Sequence, residues 1–220
     1  MSLAKRLETL GMITLLPCLV LMLLAYGSKA FGQGTSDEGL VEAMVSNANS
    51  FWGNEFQKLG VPYTPAKLAF VYDQPVDSPC GHFSTDTGPA YCPDDETVYY
   101  PVHWLDDGQT LAAYGASAVE WGIGHEVGHN AQWQMYESGI QGLRPYPETT
   151  LVEMQADCFA GMYANQALTS PGGIEGALAA MQIVSQQRIA AFELGYETGD
   201  LSQCLALATG GDPTNSGGAT

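Results

Sequence analysis

Two histidines and a glutamate stand close together in the segment GHEVGHNAQ, in a chain that has four histidines in all. If this segment is helical, His125 and His129 lie one turn apart on the same face, so their imidazoles can converge on one ion. Glu126 can project toward the same cleft without binding the ion. From there it would accept a proton from a metal-bound water. The spacing therefore predicts two metal ligands and a general base on one helix.

This H-E-x-x-H arrangement is typical of zinc metalloproteases. A catalytic zinc ion needs three protein ligands and one open position, which predicts a third ligand further along the chain. The segment TTLVEMQADCFAGMYA supplies Glu153 as that ligand and, one helical turn later, Asp157 as a hydrogen-bond partner for a ligand histidine. The alternative makes Thr150 and Glu153 a helix capping box and leaves Asp157 on a solvated face. The ligand interpretation is favoured because it fills every role of a hydrolytic site.

A purely structural zinc site is a weaker interpretation of the same residues. Such a site prefers four closed protein ligands, and the sequence offers no fourth candidate at a suitable spacing. It also contains no short Cys-x-x-Cys pair of the kind that binds zinc. The sequence therefore predicts one catalytic zinc ion per chain, and the choice of zinc over another divalent metal depends on the ligand types.

Length and composition limit the other possibilities. The 220 residues, 45% of them hydrophobic, suffice for one well-buried domain, which we place at residues 33–208 with a flexible tail at 209–220. The formal net charge of -17 argues against nucleic acid as a partner, because binding phosphates needs a basic patch. The same charge favours cationic or neutral substrates over acidic ones.

The N-terminus has the order of an export signal. Lys5 and Arg6 precede an apolar run over residues 10–26, and the small residues Ala30 and Gly32 fit a cleavage site. The run is also long enough for an uncleaved single-helix anchor. Residues 1–32 are therefore predicted to be a signal peptide or an N-terminal membrane anchor. We expect an extracellular, periplasmic or envelope-associated protein, in contact with a membrane only if this segment stays attached.

Four cysteines follow the N-terminal segment, an even number that suits disulfides in an oxidising compartment. They are Cys80, Cys92, Cys158 and Cys204, which allow three pairings. We favour Cys80 with Cys92 and Cys158 with Cys204, because the first pair closes a local, turn-rich loop.

The elements that must position these residues follow from hydrophobic periodicity. The pattern predicts a first helix that ends near Gly60, then short strands in KLAFVYD and TVYYPV, and then helices over residues 111–137, 150–168 and 174–194. With its strands early and its helices late, the chain is predicted to be α+β.

Four segments together resemble the bacterial neutral zinc metallopeptidases, zincins whose third ligand is a glutamate: CGHFSTDTGPAYCPDDETVYY, GHEVGHNAQ, VEMQADCFAGMYA and RIAAFELGYETGDLSQC. The resemblance implies a zincin-like fold with zinc held by His125, His129 and Glu153. It further implies Glu126 as the general base and Asp157 as the partner of a ligand histidine.

The resemblance also implies that Cys158 pairs with Cys204, which would fasten the third-ligand helix to the C-terminal segment. The chain departs from the family before the final helix, where a turn like Thr-His-Gly is usual and this sequence has MQIVSQQRIAAF. The departure removes the histidine that would otherwise be considered for transition-state stabilisation.

Zincin architecture would place the strand around residues 98–100 beside the active-site helix, with an extended substrate paired to its edge. The oxyanion formed during hydrolysis needs a second electrophile, and the candidates are Tyr99, His103, Arg188 and Tyr196. Each has an ordinary structural alternative: half-burial for the tyrosines, an ion pair for the arginine and the end of a strand for the histidine.

The predicted function is therefore zinc-dependent hydrolysis of peptide bonds in a peptide or protein substrate. The alternative is a catalytically weak, envelope-associated binding or scaffolding protein on the same fold. The intact Glu126 argues against the alternative, because a fold kept only for binding needs no general base beside its ligands.

Overall fold

The computed structural model of the protein describes residues 37–105, 110–142, 144–147, 149–167, 173–211 and 213–214. The predicted signal peptide or anchor at residues 1–32 lies outside the described residues, as does the end of the predicted tail. In the described part the elements follow in this order: α1 (Asp37–Leu59), β1 (Lys67–Val71), β2 (Val76–Ser78), β3 (Gly81–Phe83), β4 (Ala90–Cys92), β5 (Thr97–Pro101), α2 (Thr110–Tyr114), α3 (Ala116–Glu137), α4 (Thr150–Ala167), α5 (Glu175–Ala180), α6 (Gln186–Thr198) and α7 (Leu201–Leu207).

The strands form two small sheets, and the fold class is α+β as predicted. In the larger sheet the order is β1-β5-β4, with β1 parallel and β4 antiparallel to β5. In the smaller sheet β2 pairs antiparallel with β3. The expectation that substrate pairs with the strand at residues 98–100 is wrong, because β5 is central and both of its edges are already paired. The local sequence pattern indicated that β5 is a strand, but it did not show that β1 and β4 pair with its two edges.

The core forms where α1 crosses the helices that carry the candidate site. Apolar residues recur along α1 at helical spacing, and the positive φ of 74° at Gly60 ends the helix as predicted. Trp52 from α1 packs against Phe159 from α4, with ring centroids 4.7 Å apart. Val127 and Ile123 of α3 are fully buried in the same cluster. The face of α3 that does not carry ligands is thereby anchored in the core.

Two predicted helices are each divided in the structure. The expected helix over residues 111–137 is interrupted at Gly115, whose φ of 83° separates α2 from α3. The expected helix over residues 174–194 ends at Ala180, continues as a 3-10 turn to Ile183, and restarts at Gln186. Ser185 begins the new helix, since its side chain accepts a hydrogen bond from the Arg188 backbone N–H. Hydrophobic periodicity persists through both breaks, which is why it did not reveal them.

A close helix crossing fixes α6 against α4. A Cβ atom at Gly195 would overlap the carbonyl oxygen of Cys158, and one at Gly161 would overlap that of Phe192. The two backbones can therefore touch only because both positions are glycine. The crossing brings Arg188, near the start of α6, to the carboxylates of α4.

The structure contains both of the favoured disulfides, Cys80–Cys92 and Cys158–Cys204. The first closes the loop that carries β3 and leads into β4. The second joins α4 to α7, as the family resemblance implies. A search of the described residues for a membrane-spanning helix, one both long and apolar enough, finds none.

Candidate metal centre

Three side chains from two neighbouring helices converge on one point. His125 and His129 come from α3 and Glu153 from α4, and their candidate ligand atoms all lie within 4.8 Å of one another. The two Nε2 atoms are 3.1 Å apart. The Glu153 carboxylate lies 3.4 Å from Nε2 of His125 and 3.6 Å from Nε2 of His129. In the part of the chain that the structure describes, no other group of histidine, cysteine or acidic side chains meets this geometry.

Helical spacing and two glycines produce this convergence. His125 and His129 stand one turn apart on α3, with their ring planes inclined by 84°. A Cβ atom at Gly128 would lie 3.2 Å from the carbonyl oxygen of Ala156, and one at Gly124 would lie 3.0 Å from the ring of Tyr163. Because neither glycine has a side chain, α4 can pack closely against α3. This close packing brings Glu153 to the histidines.

Nδ1 of His125, the ring nitrogen that faces away from Glu153, is held by a fully buried carboxylate. Nδ1 of His125 lies 2.9 Å from Oδ1 of Asp157, which has no solvent exposure. Trp121 donates its indole N–H to the same oxygen at 3.0 Å, and Arg188 donates Nε–H to the other oxygen at 2.5 Å. Oδ1 thus accepts from the neutral indole of Trp121, and Oδ2 accepts from the charged guanidinium of Arg188. It fixes the ring so that Nε2 points toward Glu153.

His129 is held by a different kind of group, the amide of Gln132. Nδ1 of His129 lies 2.7 Å from Oε1 of Gln132, while Nε2 of Gln132 donates to the carbonyl of Val152 and to Oε1 of Gln155. Gln155 in turn donates to the carbonyl of Cys204 at 3.2 Å. The sequence analysis missed Gln132. Its position three residues after His129, on the same helix face, was the available signal.

The hydrogen bonds also fix where the histidine protons are. Oε1 of Gln132 can only accept, so His129 carries its proton on Nδ1 and presents a lone pair at Nε2. His125 likewise donates Nδ1–H to Asp157. Two unprotonated Nε2 atoms at 3.1 Å would repel each other, so the pair needs a proton or a cation between them. The donor set of two imidazole nitrogens and a carboxylate is one that zinc prefers, so the residues fit that ion.

The ionisation of the three residues agrees with this picture. Burial opposes a charge on His125, but the charge and hydrogen bond of Asp157, with Glu153, outweigh it and raise its pKa to about 10. Burial and the charge on His125 lower the pKa of His129 to about 4. Burial also opposes ionisation of Glu153, yet the hydrogen bond from His125 and nearby positive charges lower its pKa to about 2. At neutral pH the positive charge of His125 therefore faces the negative charge of Glu153, and His129 beside them is uncharged.

Glu126 stands beside the ligands and not among them. It is 8% exposed and lines a pocket together with His125, Glu153 and Arg188. A carboxylate in the wall of a pocket, next to a candidate metal site, can take a proton from water and pass it to a leaving group. The general-base role of Glu126 stays a prediction.

Residues 25–184 match a protein family described as "Putative neutral zinc metallopeptidase". The chain belongs to this family. The match ends before α6, so Arg188 and Cys204 lie beyond the matched residues. No solved structure matches the chain.

Curated relatives are identical to this chain at about a third of the aligned residues. The "Uncharacterized protein YpfJ" of Escherichia coli K12 is 31% identical, over 73% of this chain and 68% of the relative. The "Uncharacterized protein Rv2575" of Mycobacterium tuberculosis is 28% identical, over 61% of this chain and 60% of the relative. The chain thus spans about two thirds of the length of these family members.

The four candidate electrophiles lie in different surroundings. Only Arg188 adjoins the site, and it is already bound to Asp157 and, through NH1, to Glu153 at 3.1 Å. Tyr99 donates to Asp95 on the far side of the sheet. His103 and Tyr196 line neither of the pockets that reach the histidines.

The helix capping alternative for Glu153 is not what the structure shows. The Val152 backbone N–H donates to the hydroxyl of Thr149, at 3.4 Å, and not to Thr150. The Glu153 carboxylate points instead toward the histidines and Arg188.

Proposed function

We propose that this protein is a zinc-dependent peptidase in which His125, His129 and Glu153 hold the metal and Glu126 is the general base. The observation that carries the proposal is the convergence of three ligand atoms whose two histidines are each oriented by a buried hydrogen-bond partner. A site assembled in this way is pre-organised for a cation before one arrives.

The reaction follows from where the side chains lie. Bound zinc would polarise the substrate carbonyl and lower the pKa of a water toward about 7. Glu126 would accept a proton from the attacking water and deliver it to the leaving nitrogen as the carbon–nitrogen bond breaks. Asp157 and Gln132 keep the imidazoles fixed during these steps. Arg188 neutralises part of the negative charge on the α4 carboxylates and holds them in place.

The strand β4 is the element that fits an extended substrate. In the described part of the chain it pairs with β5 on one side and with no strand on the other. The phenol of Tyr91, in the middle of β4, donates to Asn130, the residue after His129. A peptide added to the outer edge of β4 would therefore run past the metal ligands.

We also propose that the protein is exported. Two disulfides persist only in an oxidising compartment, which supports secretion to the envelope or beyond. Whether residues 1–32 are cleaved or remain as an anchor distinguishes a free from a membrane-attached enzyme.

The test combines metal content with turnover. We expect about one zinc ion per chain after dialysis against metal-free buffer, and loss of that zinc in Glu153→Ala. Glu126→Gln should keep the zinc and lose about 10²-fold or more in the rate at which a random-sequence peptide mixture is cleaved, measured by mass spectrometry.

Glu120→Gln is the matched control. Glu120 is a buried glutamate on the same helix, and it lines neither of the pockets that reach the histidines. Full activity in Glu126→Gln would refute the general-base role. If zinc-loaded protein cleaves no peptide, the result would instead favour the binding or scaffolding function.

A further inference from the structure

We propose that Asn130 is a positioning residue: its side-chain amide fixes strand β4 to the helix that carries the histidine ligands, and so sets where a peptide paired to β4 lies relative to the metal. The inference rests on the proposed peptidase function and on the binding of substrate to β4. Asn130 belongs neither to the three ligands nor to the groups that transfer a proton.

The side-chain amide of Asn130 makes all the hydrogen bonds that it can make. Its oxygen accepts from the phenol of Tyr91 at 2.8 Å and from Nε2 of Gln134 at 2.9 Å. Its nitrogen donates to the phenol oxygen of Tyr63 at 3.1 Å and to the carbonyl of Thr64 at 3.0 Å. An asparagine amide has two acceptor sites and two donor hydrogens, so its capacity is used completely. Asn130 has no solvent exposure, and such a saturated, buried amide holds its partners in one arrangement.

These hydrogen bonds reach both outer strands of the larger sheet. Tyr91 stands in the middle of β4, and Thr64 lies in the segment that leads into β1. Because β1 and β4 pair with opposite edges of β5, Asn130 fixes the sheet to α3 from both sides. Asn49 of α1 secures the β1 side, since its amide bonds both backbone polar groups of Ala66. The sheet therefore cannot slide along α3 without breaking hydrogen bonds to a fully buried side chain.

The metal ligand next to Asn130 is held by other groups. His129 precedes Asn130 on α3, and adjacent residues on a helix point about 100° apart. Nδ1 of His129 is bound to Gln132, whose amide is bound to α4. Asn130 and Gln134, one turn apart, face the sheet and the segment before it. Loss of the Asn130 contacts should therefore displace the sheet and leave the ligands in place.

A small displacement of β4 would matter for hydrolysis. An added strand binds through main-chain hydrogen bonds, so the backbone of β4 decides where the scissile carbonyl lies. A misplacement of about 1 Å at the reacting atoms can cost about 10²-fold in rate. The benefit of a fixed β4 should increase with the length of peptide that pairs with it. A compound that reaches only the metal gains nothing from it.

Two variants test the anchor, and one serves as a control. Asn130→Ala removes all four hydrogen bonds of the amide. Tyr91→Phe removes only the bond to β4 and keeps the ring, so it tests the proposal even if Asn130→Ala does not fold. Tyr99→Phe is the matched control, because it removes a phenol from the same sheet whose hydrogen bond goes to Asp95 and not to α3.

The first experiment measures the anchoring of β4 without metal or substrate. Hydrogen exchange of the backbone amides at residues 90–92 is followed by NMR in metal-free protein and compared with exchange in α4. We expect Tyr91→Phe and Asn130→Ala to speed exchange in β4 by about 5-fold or more relative to α4. Tyr99→Phe should leave this ratio of exchange rates unchanged.

The second experiment measures how much a ligand gains from β4. Acetohydroxamic acid and the hydroxamate of acetyl-tetra-alanine bind zinc through the same group, and only the second is long enough to pair with β4. Calorimetry on zinc-loaded protein gives the ratio of their affinities, which we expect to be about 10- to 100-fold. Tyr91→Phe should reduce that ratio by about 5-fold or more, and Tyr99→Phe should retain it. A purely structural role for Asn130 would leave the ratio unchanged, because a general loss of stability weakens both compounds alike.

The outcomes separate the two proposals. An unchanged affinity ratio in Tyr91→Phe, or unchanged exchange in β4, overturns the positioning role and leaves the peptidase function standing. Equal affinity of the original protein for the two hydroxamates also overturns it. A ratio that depends on Tyr91, in zinc-loaded protein that cleaves no peptide of a random-sequence mixture, supports the positioning role and counts against the peptidase function. If the protein binds no zinc, the peptidase function fails, and the exchange experiment alone decides whether Asn130 fixes β4.

Discussion

Replacing Gln132 with leucine should show how much the hydrogen bond that orients His129 contributes to zinc binding. The leucine is close in size to the amide that it replaces, but it makes none of its hydrogen bonds. Two buried groups lose their partner, Nδ1 of His129 and Oε1 of Gln155, whereas the carbonyl of Val152 keeps the backbone hydrogen bond of its own helix. Gln132 itself has no solvent exposure, so water does not readily replace the lost partner.

The magnitude follows from the two groups that lose their partner. A buried polar group left without a partner costs about 1–3 kcal/mol, so two of them cost at least about 2 kcal/mol. For a domain of this size each kcal/mol lowers Tm by about 2–4 °C, which predicts a fall of about 4–8 °C in the metal-free protein. Releasing His129 from its orienting partner should also weaken zinc binding by about 10- to 100-fold.

Thermal unfolding of metal-free protein measures the first effect, and competition with a chelator of known affinity measures the second. Gln134→Leu is the matched control. Gln134 lies on the same helix and exchanges three hydrogen bonds with Thr64 and Asn130, but it touches no ligand. The control should lower Tm and leave zinc affinity unchanged. A Gln132→Leu protein with reduced Tm and normal zinc affinity would show that Gln132 stabilises the fold without orienting His129.

Two further predictions follow from the same geometry. His125 keeps its extra proton up to its pKa of about 10, whereas a histidine that binds zinc must be neutral. Zinc binding at about pH 8 should therefore release one proton from His125. Calorimetry in buffers of different ionisation enthalpy counts that proton, and no release would contradict the raised pKa. Gly195→Ala forces a methyl group onto the Cys158 carbonyl and should cost about 1–3 kcal/mol or more, whereas Gly142→Ala, which meets nothing within 4 Å, should be nearly neutral. Chemical denaturation compares the two variants, and equal stabilities would refute the close approach of α4 and α6.

Local spacing made the convergence of the candidate ligand residues predictable. His125 and His129 are four residues apart on a helix, and Glu153 and Asp157 repeat that spacing on the next long helix. Two such pairs restrict how the helices can face each other, so the residues could be proposed together before their contacts were known.

The parts that depend on distant segments were less predictable. The break at Gly115 is a single residue inside a continuing periodic pattern, and only its φ of 83° separates the helices. The strand β4 has three residues, too few for an alternating pattern, yet it holds the sheet edge that was assigned to β5. Tyr99 has the chemistry of an oxyanion partner, but the pleat of β5 turns it toward Asp95. The position of the sheet edge and the direction of the Tyr99 side chain both depend on how the strands pair. A single sequence does not show strand pairing.

The charges around the ligands balance only when a divalent cation is counted. Three carboxylates, of Glu126, Glu153 and Asp157, stand against one guanidinium, that of Arg188, which leaves two negative charges. In the metal-free protein the proton on His125 offsets one of them, and this charge is the reason its pKa is raised. Zinc at the proposed site would offset both, so the site would gain more from the metal than from the proton that the metal displaces.

The same balance explains why an amide and not a second carboxylate holds His129. A carboxylate at position 132 would also accept the Nδ1–H hydrogen bond, but it would add a third buried negative charge with no partner of its own. It would also face the carbonyl of Val152, which now accepts a hydrogen bond from the amide. Gln132→Leu therefore tests the hydrogen bonds of the amide and leaves the charge balance of the site as it was.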